Sequence, residues 1–330
     1  MSRRCLITGI AGQDGQLLAE LALNEGCEVY GTTRRPIDAY DEQAQAMAER
    51  VQLLDADLLD KASLVRALEV SRPHEIYNLA SPSFVPRSWD EPVLTAEFAA
   101  VGVTSLLEAI RETDPGVRYF QASSSEIFGE PREVPQTEST PLHPVTPYGV
   151  AKAYGHFIAA SYRRRYGVFA CCGILYNHES PRRPLDFLPR KVARGAAAIA
   201  LGLQSELVLG ALDAARDWGY AGDYVRAMWM MLKADQPDDY VIASGELHTV
   251  RELVDLAFQA VGLSWRDHVR TSDELTRGRA ELHDLVGDPT KAERSLGWRR
   301  TIDFPELVRL LVEAELAALR TDQTERVGSD

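Results

Sequence analysis

Residues 4–15 have the sequence RCLITGIAGQDG, in which a short apolar run ends in three regularly spaced glycines. A G-x-x-G-x-x-G turn between a strand and a helix lets backbone N–H groups and the helix N-terminus approach a diphosphate. The turn therefore predicts the first unit of a dinucleotide-binding domain, although three glycines can also serve only to shape a tight turn. The residues assigned here to a cofactor are Gly9, Gly12, Gln13, Asp14 and Gly15.

Short apolar runs alternate with amphipathic segments up to about residue 175. This alternation is typical of a parallel sheet wrapped by helices. We therefore expect an α/β fold, a Rossmann-type doubly wound parallel sheet, over residues 1–175. Residues 176–320 are expected to form mainly a smaller, interleaved C-terminal α/β substrate-binding domain, with a return of the chain to the main sheet near 210–250. The polar residues 321–330 are expected to be a disordered tail.

The composition limits the partners of the chain. The 36 basic and 49 acidic residues give a net charge of −13, which disfavours nucleic acid and anionic membrane surfaces. No apolar stretch is long enough for a signal peptide or a membrane span. The four cysteines lie beside apolar runs, so we expect reduced core residues and a cytoplasmic protein. No His or Cys spacing resembles a metal site, so no metal is predicted.

Tyr148 and Lys152 are four residues apart and so lie on one face of a predicted helix. An ammonium group beside a phenol lowers the pKa of the phenol, and the tyrosine then becomes a usable base near neutral pH. Ser124, at the end of the preceding strand, can hydrogen-bond the same substrate hydroxyl. This arrangement predicts oxidation of a substrate alcohol, with an ordinary pair of side chains on a helix surface as the alternative.

Glu126 follows Ser124 by two residues and adds a carboxylate that a simple oxidoreductase does not need. A sugar oxidised at C4 has an acidic proton at C5. A carboxylate can remove that proton and help to expel the C6 hydroxyl. Glu126 is therefore a candidate base for elimination, with a helix cap as the alternative.

Two arginines follow the second predicted strand, where an NAD site would carry an acidic residue. The planar guanidinium groups of Arg34 and Arg35 suit a 2′-phosphate, so they favour NADP, unless they are only solvated surface residues. Asp57 and Leu58, after the third strand, are assigned to the adenine. An aspartate in that position can also be a simple cap.

A second group of cations lies beyond residue 177, in an otherwise acidic chain. Arginine pairs well with phosphate oxygens, so these cations predict a nucleotide-linked substrate. Salt bridges on a loop surface are the alternative. The group comprises Arg182, Arg183, Arg190, Lys191 and Arg216.

Four motifs together resemble the extended short-chain dehydrogenase/reductases, and most closely the GDP-mannose 4,6-dehydratase family. The resemblance covers about residues 3–320. The YNHESPRR segment is nearly specific to that family, whereas Tyr-x-x-x-Lys marks only the superfamily. The motifs are ITGIAGQDG at 7–15, YNLA at 77–80, YNHESPRR at 176–183 and RDWG at 216–219.

The resemblance implies NADP-dependent dehydration of a nucleotide sugar, with GDP-mannose favoured and GDP-4-keto-6-deoxymannose as the product. In that reaction Tyr148 takes the C4 hydroxyl proton, Glu126 takes the C5 proton as water leaves from C6, and the hydride returns to C6. Lys152 holds the nicotinamide ribose, and a homodimer is expected, with a tetramer as the alternative. The resemblance also implies cofactor contacts at Leu79 and Ala80, and substrate contacts at Ser83, Ser125, Asn177, Arg182, Lys191, Arg216 and Glu281.

Three departures from the family pattern lie near the sugar and the base. Ser81-Pro82 replaces Ala-Gln before Ser83, Pro184 replaces a glycine, and the late Arg-Pro-Ala-Glu pattern becomes RGRAE at 277–281. Two other enzyme classes on this scaffold therefore stay open, an NDP-sugar epimerase and a decarboxylase. A non-catalytic NADP-binding sensor is the alternative of a different kind.

Overall fold

The computed structural model describes residues 2–275 and 284–328. Their strands are β1 (Arg4–Thr8), β2 (Glu28–Thr33), β3 (Gln52–Asp55), β4 (Glu75–Asn78), β5 (Arg118–Ser124), β6 (Phe169–Leu175), β7 (Asn177–Glu179), β8 (Leu207–Leu209), β9 (Ala215–Arg216), β10 (Trp218–Tyr220), β11 (Asp239–Ile242), β12 (His248–Thr249) and β13 (Val269–Thr271). Their helices are α1 (Gln13–Asn24), α2 (Glu42–Ala48), α3 (Lys61–Ser71), α4 (Arg87–Asp90), α5 (Pro92–Ala96), α6 (Gly102–Thr113), α7 (Pro147–Tyr166), α8 (Leu188–Ala200), α9 (Ala221–Met231), α10 (Val250–Ala260), α11 (Thr290–Leu296) and α12 (Phe304–Gly328).

Seven parallel strands form the main sheet in the order β11-β6-β5-β4-β1-β2-β3. The chain builds outward from β1 in one direction and then, from β4, in the other. Ligands of such sheets bind where the order reverses, outside the carboxyl ends of β1 and β4. The doubly wound Rossmann-type fold expected from the sequence is confirmed.

Both faces of this sheet are buried, which explains the nearly continuous apolar composition of its strands. Phe120 and Ala122 of β5 pack with α1 and α9 on one face. Tyr119, on the opposite face, packs with α3 and α6. The four cysteines are free and buried within these cores.

The smaller lobe has its own core, which joins α8, α10, α12 and β8. Between these elements the chain returns to the main sheet at α9 and β11, where the sequence predicts a return. A second return, at residues 285–298, was not expected: Leu285, Ala292 and Trp298 all pack in the core of the main sheet. The indole N–H of Trp298 donates to the Asp223 carbonyl of α9 over 2.8 Å and fixes this return.

The last helix continues to Gly328. Residues 321–328 are therefore helical, and the expectation of a disordered tail is wrong for them. Apolar residues early in α12, such as Leu307 and Leu311, pack in the core of the smaller lobe. Packing of the first turns provides the helix nucleus, so each later residue can add a backbone hydrogen bond at little cost.

One stretch among the described helices, Pro92–Thr113, passes a length and composition test for a membrane span. It comprises α5, α6 and the π-helical turn between them. Half of its apolar window is buried inside the protein, and it packs against α3 and α7. A buried core helix of a globular domain has the same composition.

Candidate active site

A cavity of about 660 Å³ opens where the main sheet meets the smaller lobe. Residues that follow β1, β4, β5 and β6 line one side of it. Residues of α8, β9 and the segment after β8 line the other side. The cavity thus lies at the carboxyl edge of the sheet, next to the point where the strand order reverses.

The glycine turn forms one end of the cavity. A residue larger than glycine does not fit at position 9 or position 15. Gly9 has φ +70°, and a Cβ there would lie 2.9 Å from the Cα of Ala80. A Cβ on Gly15 would lie 2.4 Å from the Gly9 carbonyl oxygen. Gly12 is the N-cap of α1 and no side chain caps that helix. The turn is a backbone cradle that fits the diphosphate of a dinucleotide. All five residues predicted in this turn line the cavity, and so does Leu79.

Hydrogen bonds between polar side chains connect this turn to the segment after β6. The residues are Gln13, Asp14, His178 and Ser180. The Gln13 amide donates to Asp14 over 2.9 Å and to the His178 carbonyl over 3.1 Å. The Ser180 hydroxyl donates to Gln13 over 2.9 Å. Burial alone would raise the pKa of Asp14, but the neighbouring His178 and Gln13 lower it to about 2. The carboxylate is therefore ionised at any physiological pH.

Tyr148 and Lys152 lie on one face of α7 and both line the cavity. The Lys152 ammonium donates to the Ala122 carbonyl over 3.0 Å, and the side chain of Ser124 lies close to the Tyr148 hydroxyl. Burial lowers the pKa of Lys152 to about 8 and raises that of Tyr148 to about 12, although Ser124 opposes the rise. The expectation that Lys152 brings the tyrosine pKa near neutrality is therefore wrong, because burial outweighs the lowering effects of Ser124 and Arg183.

Glu126 lines the same cavity, one short turn beyond Ser124. Its backbone N–H donates to the Ser124 hydroxyl over 3.3 Å. A Cβ on Gly149 would lie 2.4 Å from the Glu126 carbonyl oxygen, so α7 starts directly against this turn. The negative charge of Glu126 contributes to the raised pKa of Tyr148. The phenol of Tyr148 and the carboxylate of Glu126 thus reach one volume from two adjoining elements.

Most residues assigned to the substrate line this cavity as well. They are Ser83, Asn177, Lys191 and Arg216. Ser125 is buried and lies outside the lining. Glu281 lies outside the described residues, as do the neighbouring arginines at 277 and 279.

The two arginines of YNHESPRR diverge. Arg182 turns away to Glu20 of α1, with a distance of 2.7 Å between Nη2 and Oε1. Arg183 lines the cavity, lies 3.6 Å from the ring centroid of Phe187 and pairs with Glu179 over 3.3 Å. The assignment of Arg182 to the substrate therefore does not match its orientation, and the arginine of the cavity is Arg183.

The residues assigned to the adenosine end lie outside the lining of this cavity. Arg34 and Arg35 are exposed after β2 and stack on Phe98 and Tyr40 at 4.7 and 4.6 Å from the ring centroids. Asp57 accepts from the backbone N–H of Leu59 over 2.9 Å, a turn contact, whereas the N-cap of α3 is Asp60. Leu58 is buried in the core.

Sequence reasoning gave no role to His178, and it grouped Arg183 with the other cations without separating it from Arg182, although both His178 and Arg183 line the cavity. Both belong to the quoted YNHESPRR segment and flank residues that were assigned. The available signal was the motif itself, but adjacent residues of a loop cannot be ranked without their orientation. Among the described residues, no group of three or more His, Cys, Asp or Glu side chains could hold a metal ion.

The fold and the site define a class: an extended short-chain dehydrogenase/reductase with an additional carboxylate in its cavity. The family model for GDP-mannose 4,6 dehydratase matches residues 6–311. GDP-mannose 4,6 dehydratase 1 of Arabidopsis thaliana is 43% identical over 96% of this chain and 91% of its own length. The human GDP-mannose 4,6 dehydratase is 41% identical over 96% of this chain and 92% of its own. The chain belongs to the GDP-mannose 4,6-dehydratase family and is a nucleotide-sugar 4,6-dehydratase, a hydro-lyase.

Solved structures agree with the fold. A UDP-glucose 4-epimerase of Thermus thermophilus, in complex with NAD, has a TM-score of 0.84 at 28% identity and covers 96% of this chain and 99% of its own. A dTDP-glucose 4,6-dehydratase of Streptomyces venezuelae, also with NAD bound, has a TM-score of 0.82 at 26% identity and covers 94% and 96%. The similarity thus spans both lobes.

Proposed function

We propose that the protein converts GDP-mannose to GDP-4-keto-6-deoxymannose, with NADP as its cofactor. The observation that carries this proposal is the single cavity that holds Ser124, Glu126, Tyr148 and Lys152 between the glycine cradle and the cations Lys191 and Arg216. The cradle suits the diphosphate of the cofactor, and the cations suit the diphosphate of the substrate. The reacting sugar then lies between the two anionic groups.

A nicotinamide dinucleotide bound on the cradle would take the C4 hydride and return it to C6. The glycine turn and Leu79 would hold it, and Lys152 would hold its ribose. Tyr148 and Ser124 would hydrogen-bond the C4 hydroxyl and remove its proton. Because burial raises the pKa of Tyr148 to about 12, this step needs positive charge nearby, which Arg183 provides in part.

Glu126 acts at the next position of the sugar ring. Once C4 is a ketone, the C5 proton is acidic, and the Glu126 carboxylate removes it. The same carboxyl group can then protonate the departing C6 hydroxyl, so that water leaves and no external acid is required. A proton from solvent finally enters at C5.

Turnover in deuterium oxide tests the substrate and the reaction together. GDP-mannose, UDP-glucose, dTDP-glucose and a nucleotide-linked uronic acid are incubated separately, and the products are analysed by mass spectrometry and NMR. We expect loss of one water and one deuterium at C5 with GDP-mannose. A product isomeric with the substrate would indicate an epimerase, loss of carbon dioxide from a uronic acid sugar a decarboxylase, and preference for another nucleotide would contradict GDP-mannose.

The preference for NADP is supported by Arg34 and Arg35. Stacking on Phe98 and Tyr40 uses the faces of the two guanidinium groups and leaves their in-plane N–H edges for a 2′-phosphate. We expect an Arg34→Ala, Arg35→Ala double variant to lose at least about tenfold in affinity for NADP, the strength of a charged hydrogen bond, and little for NAD. Equal losses for both dinucleotides, or extraction of NAD from the purified protein, would contradict this preference.

We infer that the protein is a homodimer. Five large apolar side chains are exposed on the adjacent helices α5 to α7 before the last turn of α7, and two such helices from each of two subunits can pack as a bundle. A Phe157→Glu substitution should give a monomer in light scattering. Leu203 is also an exposed apolar residue but lies on the smaller lobe, so Leu203→Glu should leave the dimer intact. A tetramer in the native protein, or no effect of Phe157→Glu, would contradict the dimer. The side chains are Val93, Val101, Val150, Tyr154 and Phe157, each 46–69% exposed.

We also propose a cytoplasmic location. The free, buried cysteines support it, since a reducing compartment keeps such thiols unpaired. Fractionation of cells that express the protein tests the proposal, and recovery with a membrane or secreted fraction would contradict it.

A further inference from the structure

Helix α7 is joined to the end of β5 by three successive polar contacts. The side chain of Ser124 lies close enough to the Tyr148 hydroxyl to lower its pKa. The Lys152 ammonium donates to the carbonyl of Ala122 over 3.0 Å. One helical turn further along, Nδ1 of His156 lies 3.0 Å from the hydroxyl oxygen of Ser123. The first two contacts belong to the reaction proposed above, and the third has no role in it so far.

Burial of a histidine side chain at position 156 costs desolvation free energy. His156 is 9% exposed between the helix and the sheet, where an apolar side chain would pack without desolvation. Burial lowers its pKa even though Asp239 of β11 opposes this effect, so the ring is neutral at physiological pH. Asp239 accepts two hydrogen bonds from Arg163 of α7, at 2.9 and 2.8 Å, and its Oδ2 lies 3.9 Å from Nε2 of His156, too far for a hydrogen bond.

The bond to Ser123 has a direct consequence for Lys152. The carbonyl that accepts from the Lys152 ammonium belongs to the peptide unit that joins Ala122 to Ser123. The bond between His156 and the Ser123 side chain therefore helps to fix the orientation of the Ala122 carbonyl. The same bond sets the position of α7 along β5, and with it the position of Tyr148.

We propose that His156 is a positioning residue. It fixes helix α7 relative to the Ala122–Ser123 peptide of β5, so that the side chains of Lys152 and Tyr148 are correctly placed to act on the sugar. The inference rests on the role of these two residues in the proposed reaction. Misplacement of a reacting group by about 1 Å can cost up to about 100-fold in rate, so a small change of register is enough to be measured.

Both ends of α7 are anchored independently of His156, so variants should fold. Thr146 caps the first turn by accepting from the Gly149 N–H over 2.9 Å. Near the other end, Arg163 binds Asp239 and also donates to the Ala170 carbonyl over 2.9 Å. Only the middle of the helix loses a contact when His156 is replaced.

Kinetics of Ser123→Ala, His156→Leu and the double variant test the proposal on whichever nucleotide sugar the wild-type protein turns over. We expect each single change to lower kcat by about tenfold, to leave KM within about twofold and to shift the limb of the kcat–pH profile that reports Lys152 and Tyr148. The double variant should lose no more than either single one, because both remove the same bond. Wild-type inactivity on all sugars would count against the proposed function and not against this residue.

Two amide variants provide the matched control. An asparagine at 156 places its amide near the position of Nδ1, whereas a glutamine places it near Nε2. His156→Asn should therefore retain most of the activity and the native pH profile, and His156→Gln should lose both. Equal behaviour of the two, multiplicative losses in the double variant, or a lower melting temperature with unchanged kcat and pH profile would overturn the proposal.

Discussion

Nε2 of His178 lies 2.9 Å from Oδ2 of Asp14, although the two residues are 164 positions apart. Nδ1 of the same ring lies 2.7 Å from the Tyr176 carbonyl oxygen. A carbonyl and an ionised carboxylate can only accept, so both ring nitrogens must carry a proton and His178 is an imidazolium. This ion pair ties the glycine turn to the segment that leads into the smaller lobe.

The pair predicts a pH dependence of stability. The pKa of Asp14 falls from 3.8 to about 2, so its contribution is present above pH 3.8 and is lost as the pH falls through about 2. Burial alone would lower the pKa of His178, but Asp14 raises it above 6.5, so its contribution is present below pH 6.5 and is lost as the pH rises through the raised value. The melting temperature of the wild type should exceed that of Asp14→Asn most between about pH 4 and 6.5. A difference that stays constant up to pH 9 would contradict the ion pair.

Removal of the Glu126 carboxylate should separate oxidation from elimination. In Glu126→Gln we expect reduced cofactor to accumulate on the protein, with no water loss and no deuterium at C5. The overall rate should fall by about 100-fold or more, the usual contribution of a general base. Glu130→Gln, an exposed residue four positions later, is the control and should behave as wild type. Exchange at C5 in Glu126→Gln would assign the base elsewhere.

Replacement of Tyr148 by phenylalanine distinguishes an enzyme from a sensor. The variant should bind dinucleotide and nucleotide sugar normally but turn over at least about 100-fold more slowly. Tyr166→Phe removes the hydroxyl of a residue that is 48% exposed at the end of the same helix, and it should have no effect. If wild type and Tyr148→Phe bind equally and neither converts any nucleotide sugar of the panel, the protein is a sensor.

Arg182 and Arg183 offer a direct comparison of two adjacent arginines. Arg183→Gln removes a cation from the cavity and should lower kcat/KM by about 10- to 100-fold, as for other charged contacts. Arg182→Gln breaks a partly exposed pair with Glu20, so it should cost at most about 1 kcal/mol of stability and leave turnover unchanged. The opposite order of effects would show that ligand binding reorients the loop.

Gly9 and Gly26 separate the effect of backbone strain from that of close approach. Both have positive φ, +70° and +75°, but a Cβ on Gly26 meets nothing within 4 Å, whereas one on Gly9 meets Ala80 at 2.9 Å. Gly26→Ala should therefore cost about 1–2 kcal/mol of stability from strain alone. Gly9→Ala should cost more and should also weaken dinucleotide binding. Calorimetric titration with NADP measures the second effect, and equal affinities for the two variants would refute the cradle.

Short-range patterns made much of this site predictable from the sequence. The spacing of Tyr148 and Lys152 places them on one helix face whatever surrounds that helix. The glycine spacing of the first turn depends only on local backbone geometry and steric limits. The resemblance carried by the YNHESPRR segment led to the correct family before any tertiary contact was known.

The sequence by itself thus predicted the parallel α/β fold and the glycine turn, because each follows from patterns within a few residues, and it named Ser124, Glu126, Tyr148 and Lys152 as candidate catalytic side chains. Only the tertiary structure decided that Arg183 rather than Arg182 faces the cavity, that His178 pairs with Asp14, and that the chain returns a second time to the main sheet. It also decided the direction of the Tyr148 pKa. Burial and contacts between distant segments control all four, and the energy of desolvation cannot be calculated until the surroundings of a group are known.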